Sequence, residues 1–196
     1  DKWMGPRMAI TLRVDGSEVE VPQGATVLDA VNRLGIALPQ LCKDPDRPPL
    51  GACRTCLVRV EGQRGLPAAC HLPARDGMVV EATTAELVDA RKAIVEMMFS
   101  EGNHFCPGCQ KSGDCDLQHM GYEMGLTQSR FPHVFKDRLI DFHPKRMIME
   151  HNRCIKCLRC VKEVFTDDGK AVFSFLHRGN ETRVGIDYAE EAKLSD

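Results

Sequence analysis

The sequence lacks several features that would direct it to other functions. No apolar run approaches the roughly 20 residues that span a bilayer; the best, Ala93 to Phe99, is short and interrupted by Glu96. The N-terminus carries no secretory signal. Twenty-six Lys and Arg stand against 28 Asp and Glu, a net charge of -2, so there is no global basic field to attract nucleic acid. There is no G-x-G-x-x-G fingerprint, no Walker loop and no nucleophile–base pair singled out by spacing, so no motif binds a nicotinamide or a flavin. These absences predict a cytoplasmic chain without membrane insertion or nucleic-acid partner. Asp1 to Arg7 read as a lead-in, since a strand-like pattern and a plausible start both fall at Met8.

What the chain has instead is ten cysteines in 196 residues, 43% of them hydrophobic, enough for one moderate core or two to three small ones. The cysteines fall into three groups: Cys42, Cys53, Cys56 and Cys70; Cys106, Cys109 and Cys115; Cys154, Cys157 and Cys160. An even count permits disulfides, but a reducing cytosol opposes them and the C-x2-C pairs have ligand spacing. Zinc rivals iron for any single C-x2-C pair.

Met8 to Val14 alternates, with Ile10, Leu12 and Val14 on one face; Asp15-Gly16 is a hairpin turn and Ser17 to Val21 returns. Thr26 with Asp29 caps a short helix with Val27, Val31 and Leu34 on one face, and Gly35 stops it. A hairpin followed by a short helix begins a β-grasp domain, with Leu57 to Val60 and Met78 to Glu81 as further strands. Its four cysteines, spaced C-x10-C-x2-C-x13-C, match one 2Fe-2S cluster. In Gly51-Ala52-Cys53-Arg54-Thr55-Cys56, small residues stand where the backbone must approach sulfide and donate N–H bonds. Zinc makes no such demand.

Thr83-Thr84-Ala85-Glu86 opens a helix to about Ser100 with Leu87, Ala90, Ile94 and Met98 on one face. Arg91 falls inside that stripe, and its expected behaviour is to snorkel to solvent. The helix leads into His104-x-Cys106-x2-Cys109-x5-Cys115, three thiols and one imidazole for a 4Fe-4S cluster, with His104 the candidate fourth ligand. A helix over Leu117 to Met124 follows, then an irregular connector from Thr127 to Lys145. His119, His133 and His143 read as surface or packing residues. Arg146 to Glu150 is strand-like and leads into Cys154-x2-Cys157-x2-Cys160, the most specific 4Fe-4S signal in the chain. Where a bacterial ferredoxin run has its next cysteine stands Val164, so the fourth ligand of this site is remote, with His151 and His177 as fallbacks. Val172 to Leu176 and Thr182 to Asp187 form a hairpin. The fold class is thus α+β: a 2Fe-2S ferredoxin-like β-grasp domain over 8–82, a helical His/Cys3 4Fe-4S domain over 83–145 and a 4Fe-4S ferredoxin-like segment over 146–196 expected to be incomplete at its C-terminus, for one 2Fe-2S cluster and one or two 4Fe-4S clusters.

The three motifs in this order resemble the N-terminal iron–sulfur part of the large electron-input subunit of complex I. They also resemble the small diaphorase subunit of soluble NAD-reducing nickel–iron hydrogenases, related formate dehydrogenase subunits and the start of iron-only hydrogenases. Glu101-Gly102-Asn103-His104, Lys111-Ser112-Gly113 with Leu117-Gln118, and His177-Arg178-Gly179 with Ile186-Asp187 look most like the hydrogenase diaphorase subunit. In the complex I type the histidine stands at the position of Gly102, two residues earlier than His104. The family places the fourth cysteine of the last site beyond Asp196. The resemblance implies a hetero-oligomer in which this chain relays electrons between an FMN- and NAD-binding diaphorase subunit and the hydrogenase small subunit. The equivalent subunit of a formate dehydrogenase or complex I-like enzyme is the alternative in the same class, and a zinc-rich scaffold the alternative outside it.

Overall fold

The computed structural model describes residues 9–43, 48–134 and 136–194; the lead-in over 1–7 and the start at Met8 lie outside the described residues. The chain divides into two compact units, Asp1–Ile94 and Val95–Asp196.

In the first unit, β1 (Ala9–Val14) and β2 (Ser17–Pro22) pair antiparallel, with Ile10 opposite Val21 and Leu12 opposite Val19. Asp15 at φ 47° and Gly16 at φ 81° make the turn, both left-handed, as a two-residue hairpin with right-handed strand twist requires. Helix α1 (Val27–Arg33) starts on a reciprocal capping box: the Asp29 N–H donates to Thr26 Oγ1 (3.3 Å) and the Thr26 N–H donates to Asp29 Oδ2 (2.8 Å). It ends as expected at Gly35, where Gly35 N–H reaches Asn32 O (3.0 Å) and Ile36 N–H reaches Val31 O (3.2 Å), satisfying two terminal carbonyls. Val27, Leu28, Ala30 and Val31 are fully buried against the sheet, each Val or Leu contributing about 2 kcal/mol. β3 (Arg59–Val60) and β4 (Val79–Glu81) complete a sheet of order β2-β1-β4-β3, with β1 and β4 parallel. The turn residue Asp15 also accepts the Ala82 N–H (2.7 Å) and the Thr83 hydroxyl (2.9 Å), tying the hairpin to the end of β4.

Helix α2 (Ala85–Glu101) begins where Thr84 Oγ1 accepts the Leu87 N–H (3.4 Å). Its buried face departs from the expected one: Leu87, Arg91 and Val95 are buried, followed by Glu96 and Ser100, while Ala90, Ile94 and Met98 are only half-buried. Arg91 does not snorkel. At 4% exposure its Nε donates to Leu57 O (3.0 Å) and its Nη2 to Leu57 O and Ala82 O, two carbonyls that the sheet leaves unpaired. Burial pulls its pKa below the usual value, partly offset by Cys56 and Asp15. Among the described residues no helix is long and apolar enough to cross a membrane.

The second unit has less regular structure. A 3-10 turn at Cys106–Gly108 is followed by α3 (Asp116–Glu123), which Cys115 precedes as N-cap residue. Arg146 to Glu150 is not a strand; it makes only an isolated bridge, Asp141 with Met149, because the buried carboxylate of Glu191 draws its start away by accepting the Lys145 N–H (3.1 Å) and the Arg146 N–H (2.7 Å). Helix α4 (Arg159–Glu163) carries Cys160. The antiparallel hairpin of β5 (Phe173–Leu176) and β6 (Arg183–Ile186) appears where expected, and α5 (Tyr188–Glu191) is capped by Asp187. Val172, Phe173 and Val184 form a small core on which Met147, Met149, Cys154, Cys160 and Val161 pack.

Candidate metal centres

In the first unit, the backbone around Cys56 and Cys70 is held as a short ladder. The Ala69 N–H donates to Cys56 O (2.9 Å) and the Val58 N–H to Pro67 O (3.0 Å), and Cys70 lies in a 3-10 turn, Ala69–His71. Cys42, Cys53, Cys56 and Cys70 are all buried. The Cys53 N–H points to Cys42 Sγ (3.5 Å), which brings these two residues together across ten intervening positions. Cys42 is held far toward its thiolate, first by the Cys53 and Cys70 thiols and, against burial, by the peptide N–H groups of Cys53 and Ala52. Cys56 is lowered to about 7, first by the Cys70 thiol. Cys53 and Cys70, as donors to these thiolates, are pushed up. Gly51 at φ 64° and Arg54 at φ 62° turn the two ends of the Cys53 loop, and a Cβ on Gly51 would lie 3.2 Å from that of His71. The left-handed conformation and this contact add to the expectation of small residues here.

Thr55, between two of these cysteines and fully buried, is a residue that spacing alone did not single out. Its hydroxyl donates to Pro39 O (3.1 Å), accepts the Leu41 N–H (3.4 Å) and lies 3.1 Å from Cys53 Sγ. It thereby joins the loop that carries Cys42 to the loop that carries Cys53 and Cys56.

In the second unit, His104, Cys106, Cys109, Cys115, Cys154, Cys157 and Cys160 all line one cavity of 510 Å³, with Phe99, Leu117, Met149, Ile155 and Val184 among its apolar walls. Two motifs about forty residues apart in the chain therefore face the same space. His104 Nε2 lies 3.1 Å from Met98 O; since a carbonyl can only accept, Nε2 carries the proton and Nδ1 keeps its lone pair. Burial first, then Arg153, lowers the His104 pKa against the pull of that carbonyl, which favours the neutral ring that a metal requires. A Cβ on Gly102 would lie 2.2 Å from His104 Nε2, so glycine at 102 makes room for the ring two positions later. Gln118, also outside the expected site, is buried and ties the cysteine loop: its Oε1 accepts the Gly113 N–H (2.7 Å) and its Nε2 donates to Ser112 Oγ (3.3 Å). Burial raises Cys154, and burial with Cys154 and Cys157 raises Cys160 to about 11, while peptide N–H groups of Lys156 and Val161 oppose the shifts. Lys156 at φ 51° and Leu158 at φ 65° bend the run round its centre.

The fallback histidines are elsewhere. His151 faces a different cavity, with Leu139, Tyr188 and Arg183, and His177 is an exposed residue of the hairpin turn at φ 62°. His119 pairs with Glu123 (3.2 Å) and His143 with Asp141 (2.8 Å), both as surface groups. Among the described residues no three His, Cys, Asp or Glu side chains form a cage for a single metal ion. A polynuclear cluster instead spreads its thiolates round a body of iron and sulfide, and thiolate-rich, apolar, N–H-donating pockets suit it. The residues present fit iron–sulfur clusters.

The fold and these centres define an iron–sulfur electron-transfer protein, an oxidoreductase component with 2Fe-2S and 4Fe-4S sites. Residues 7–85 match the model of a 2Fe-2S iron–sulfur cluster binding domain, and residues 91–130 that of the NADH-ubiquinone oxidoreductase-G iron–sulfur binding region. The chain is 43% identical over 181 residues to the gamma subunit of the NAD-reducing hydrogenase HoxS of Cupriavidus necator, covering 92% of this chain and 76% of the relative. It is 39% identical over 178 residues to a G-type subunit of the NADH-quinone oxidoreductase of Rhizobium meliloti, covering 89% of this chain but only 21% of that one. A crystal structure of an NAD+-reducing NiFe-hydrogenase in its H2-reduced state contains a chain that superposes with a TM-score of 0.81 at 37% identity, over 90% of this chain and 74% of that one. The chain belongs to the family of the gamma subunits of NAD-reducing hydrogenases, and it is homologous to part of the G-type subunit of complex I.

Proposed function

We propose that this chain is the cytoplasmic electron relay of an NAD-reducing hydrogenase, passing single electrons between an FMN- and NAD-binding diaphorase subunit and the hydrogenase small subunit. The observation that supports the proposal is the one cavity of the second unit that His104, Cys106, Cys109 and Cys115 line together with Cys154, Cys157 and Cys160. The assigned ligands are Cys42, Cys53, Cys56 and Cys70 for the 2Fe-2S site, His104, Cys106, Cys109 and Cys115 for one 4Fe-4S site, and Cys154, Cys157 and Cys160 for the other. The working domain boundaries are 8–82, 83–145 and 146–196.

When bound, the clusters supply reversible one-electron acceptance. The chain's own residues set how they do so. Thr55 and Gln118 fix the ligand loops, so little rearrangement accompanies a change of charge. Peptide N–H groups at Cys42, Cys56, Cys154 and Cys160 stabilise the thiolates. His104, with its Nε2 proton held by Met98 O, offers Nδ1 as a neutral ligand. A neutral ligand in place of a thiolate removes a negative charge and raises the potential.

The test is to purify the chain with its partners without oxygen, measure iron and acid-labile sulfide, and identify the metal of the largest partner. Iron, sulfide and nickel are expected together. A colourless, iron-free, zinc-loaded chain would sink the relay in favour of a scaffold. Iron–sulfur with molybdenum in the partner would instead assign the chain to a formate dehydrogenase, and neither metal would favour the complex I-like assembly, whose G-type subunit shares this region at 39% identity.

A further inference from the structure

In Arg153-Cys154-Ile155-Lys156-Cys157-Leu158-Arg159-Cys160 a basic residue precedes every cysteine. Each of these three cations reaches the border of the other cysteine loop. Arg153 Nη1 lies 3.5 Å from Asn103 O and 3.4 Å from Phe105 O, the carbonyls on either side of His104. Lys156 Nζ lies 2.5 Å from Glu101 Oε1, just before that loop, and Arg159 Nη1 lies 2.8 Å from Asp116 Oδ2, just after Cys115. The three contacts thus fall at the start, the histidine and the end of the second motif. The Lys156 and Glu101 side chains are 27% and 33% exposed, and pairs at such partly exposed positions add little to folding stability. Lys156 moreover adopts a left-handed backbone, φ 51°, which a non-glycine residue tolerates only when its surroundings fix it there. Arg153, Arg159 and Asp116 also line the cavity that the cysteines share, so their charges face both sites.

We propose that Arg153, Lys156 and Arg159 are positioning residues that fasten the Cys154–Cys160 run to the Glu101–Asp116 loop at three points, fixing the spacing of the two four-iron sites and supplying charge that tunes both. The proposal rests on the assignment of Cys106, Cys109, Cys115, Cys154, Cys157 and Cys160 as cluster ligands. The two arms of the clamp are separable. Lys156 with Glu101 tests the fastening, and Arg159 with Asp116 tests the charge. A purely structural ion pair gives the same result whichever partner is removed. A cation and an anion that face a redox centre give opposite results, because positive charge favours the added electron and negative charge opposes it.

The experiment uses the assembled hydrogenase complex. Midpoint potentials of the four-iron EPR signals are measured for wild type, Arg159→Gln and Asp116→Asn; Arg159→Gln lowers them and Asp116→Asn raises them. Hydrogen exchange over residues 101–106 is measured for Lys156→Glu, Glu101→Lys and the double swap. Each single reversal, which turns the attraction into a like-charge repulsion, accelerates exchange about fivefold, and the swap returns it to within about twofold of wild type. Midpoints that do not move, or that move in the same direction in both neutral variants, overturn the charge role. A swap that exchanges as fast as the single reversals overturns the fastening. A wild-type complex without four-iron signals overturns the ligand assignment itself, and the clamp with it.

Discussion

The two units hold their metal centres by different means. In the first, all four cysteines are buried in a unit built on a four-stranded sheet and a capped helix, and Cys56 and Cys70 are part of its hydrophobic core. In the second, five of six half-buried cysteines sit in turns and coil and Cys160 in the short helix α4, and a small core of Val172, Phe173 and Val184 packs against Cys154 and Cys160. The first set of cysteines is thus enclosed by regular structure and the second set is more open. Among the described residues the second unit buries few apolar side chains, so metal ligation and polar ties are expected to supply more of its stability.

The largest effect expected is therefore on metal removal. Binding free energy at a structural metal, on the order of 10 kcal/mol, is also folding free energy. Chelation of iron should abolish amide protection across 102–160 while leaving β1, β2 and α1 protected. Equal loss in both units, read by hydrogen exchange, would show that the second unit depends on its metal no more than the first. Next are two buried polar anchors, one in each unit. Glu191→Ala deprives two peptide N–H groups of a charged acceptor and should cost about 3 kcal/mol in the second unit. Arg91→Met leaves Leu57 O and Ala82 O unpaired and should cost about 2 to 3 kcal/mol, confined to the first unit. Denaturant unfolding with exchange read separately over each unit checks both values. A narrower change is His104→Cys. It should keep its four-iron cluster and lower the midpoint on the order of 100 mV, less than two imidazoles achieve in Rieske centres; an unchanged EPR spectrum and midpoint would remove His104 from the ligand set.

The smallest effect concerns acid. His143, through its peptide N–H and then its ring, with further help from Tyr188, holds Asp141 at about 2, below its ordinary 3.8. A carboxylate with a depressed folded value contributes stability above its unfolded pKa and loses it as pH falls through the folded one. The loss should occur between about pH 4 and pH 2 and stay under about 1 kcal/mol, because His143 is a surface group. Thermal melts of wild type and Asp141→Asn across that window should converge at the acid end.

The residues that sequence reasoning placed well are those whose partners are close in the chain. Thr26 and Asp29 cap a helix three residues apart, Asp15-Gly16 closes a hairpin on itself, and C-x2-C spacing brings two thiols to one centre. Where the partner is remote, the pattern misled or was silent. Arg91 looked like a snorkelling side chain because its acceptors, Leu57 O and Ala82 O, lie 34 and 9 residues away. Arg146 to Glu150 reads as a strand because nothing local shows that Glu191 takes its first N–H and that of Lys145 before it. Thr55 and Gln118 lay within quoted motifs, but as polar residues between ligands they gave no sign of which loop each would tie.

The number and order of the cysteine motifs, the β-grasp start and the C-terminal hairpin are written in the chain locally, because ligand spacing, turn conformation and capping act over a few residues. Only the tertiary structure decided that the second and third motifs open into one cavity, that a buried arginine closes the sheet, and that the basic residues of the last motif reach the borders of the one before. Those arrangements depend on which unpaired carbonyls and carboxylates the fold brings within 3 Å or so of a donor, and that is set by packing across tens of residues.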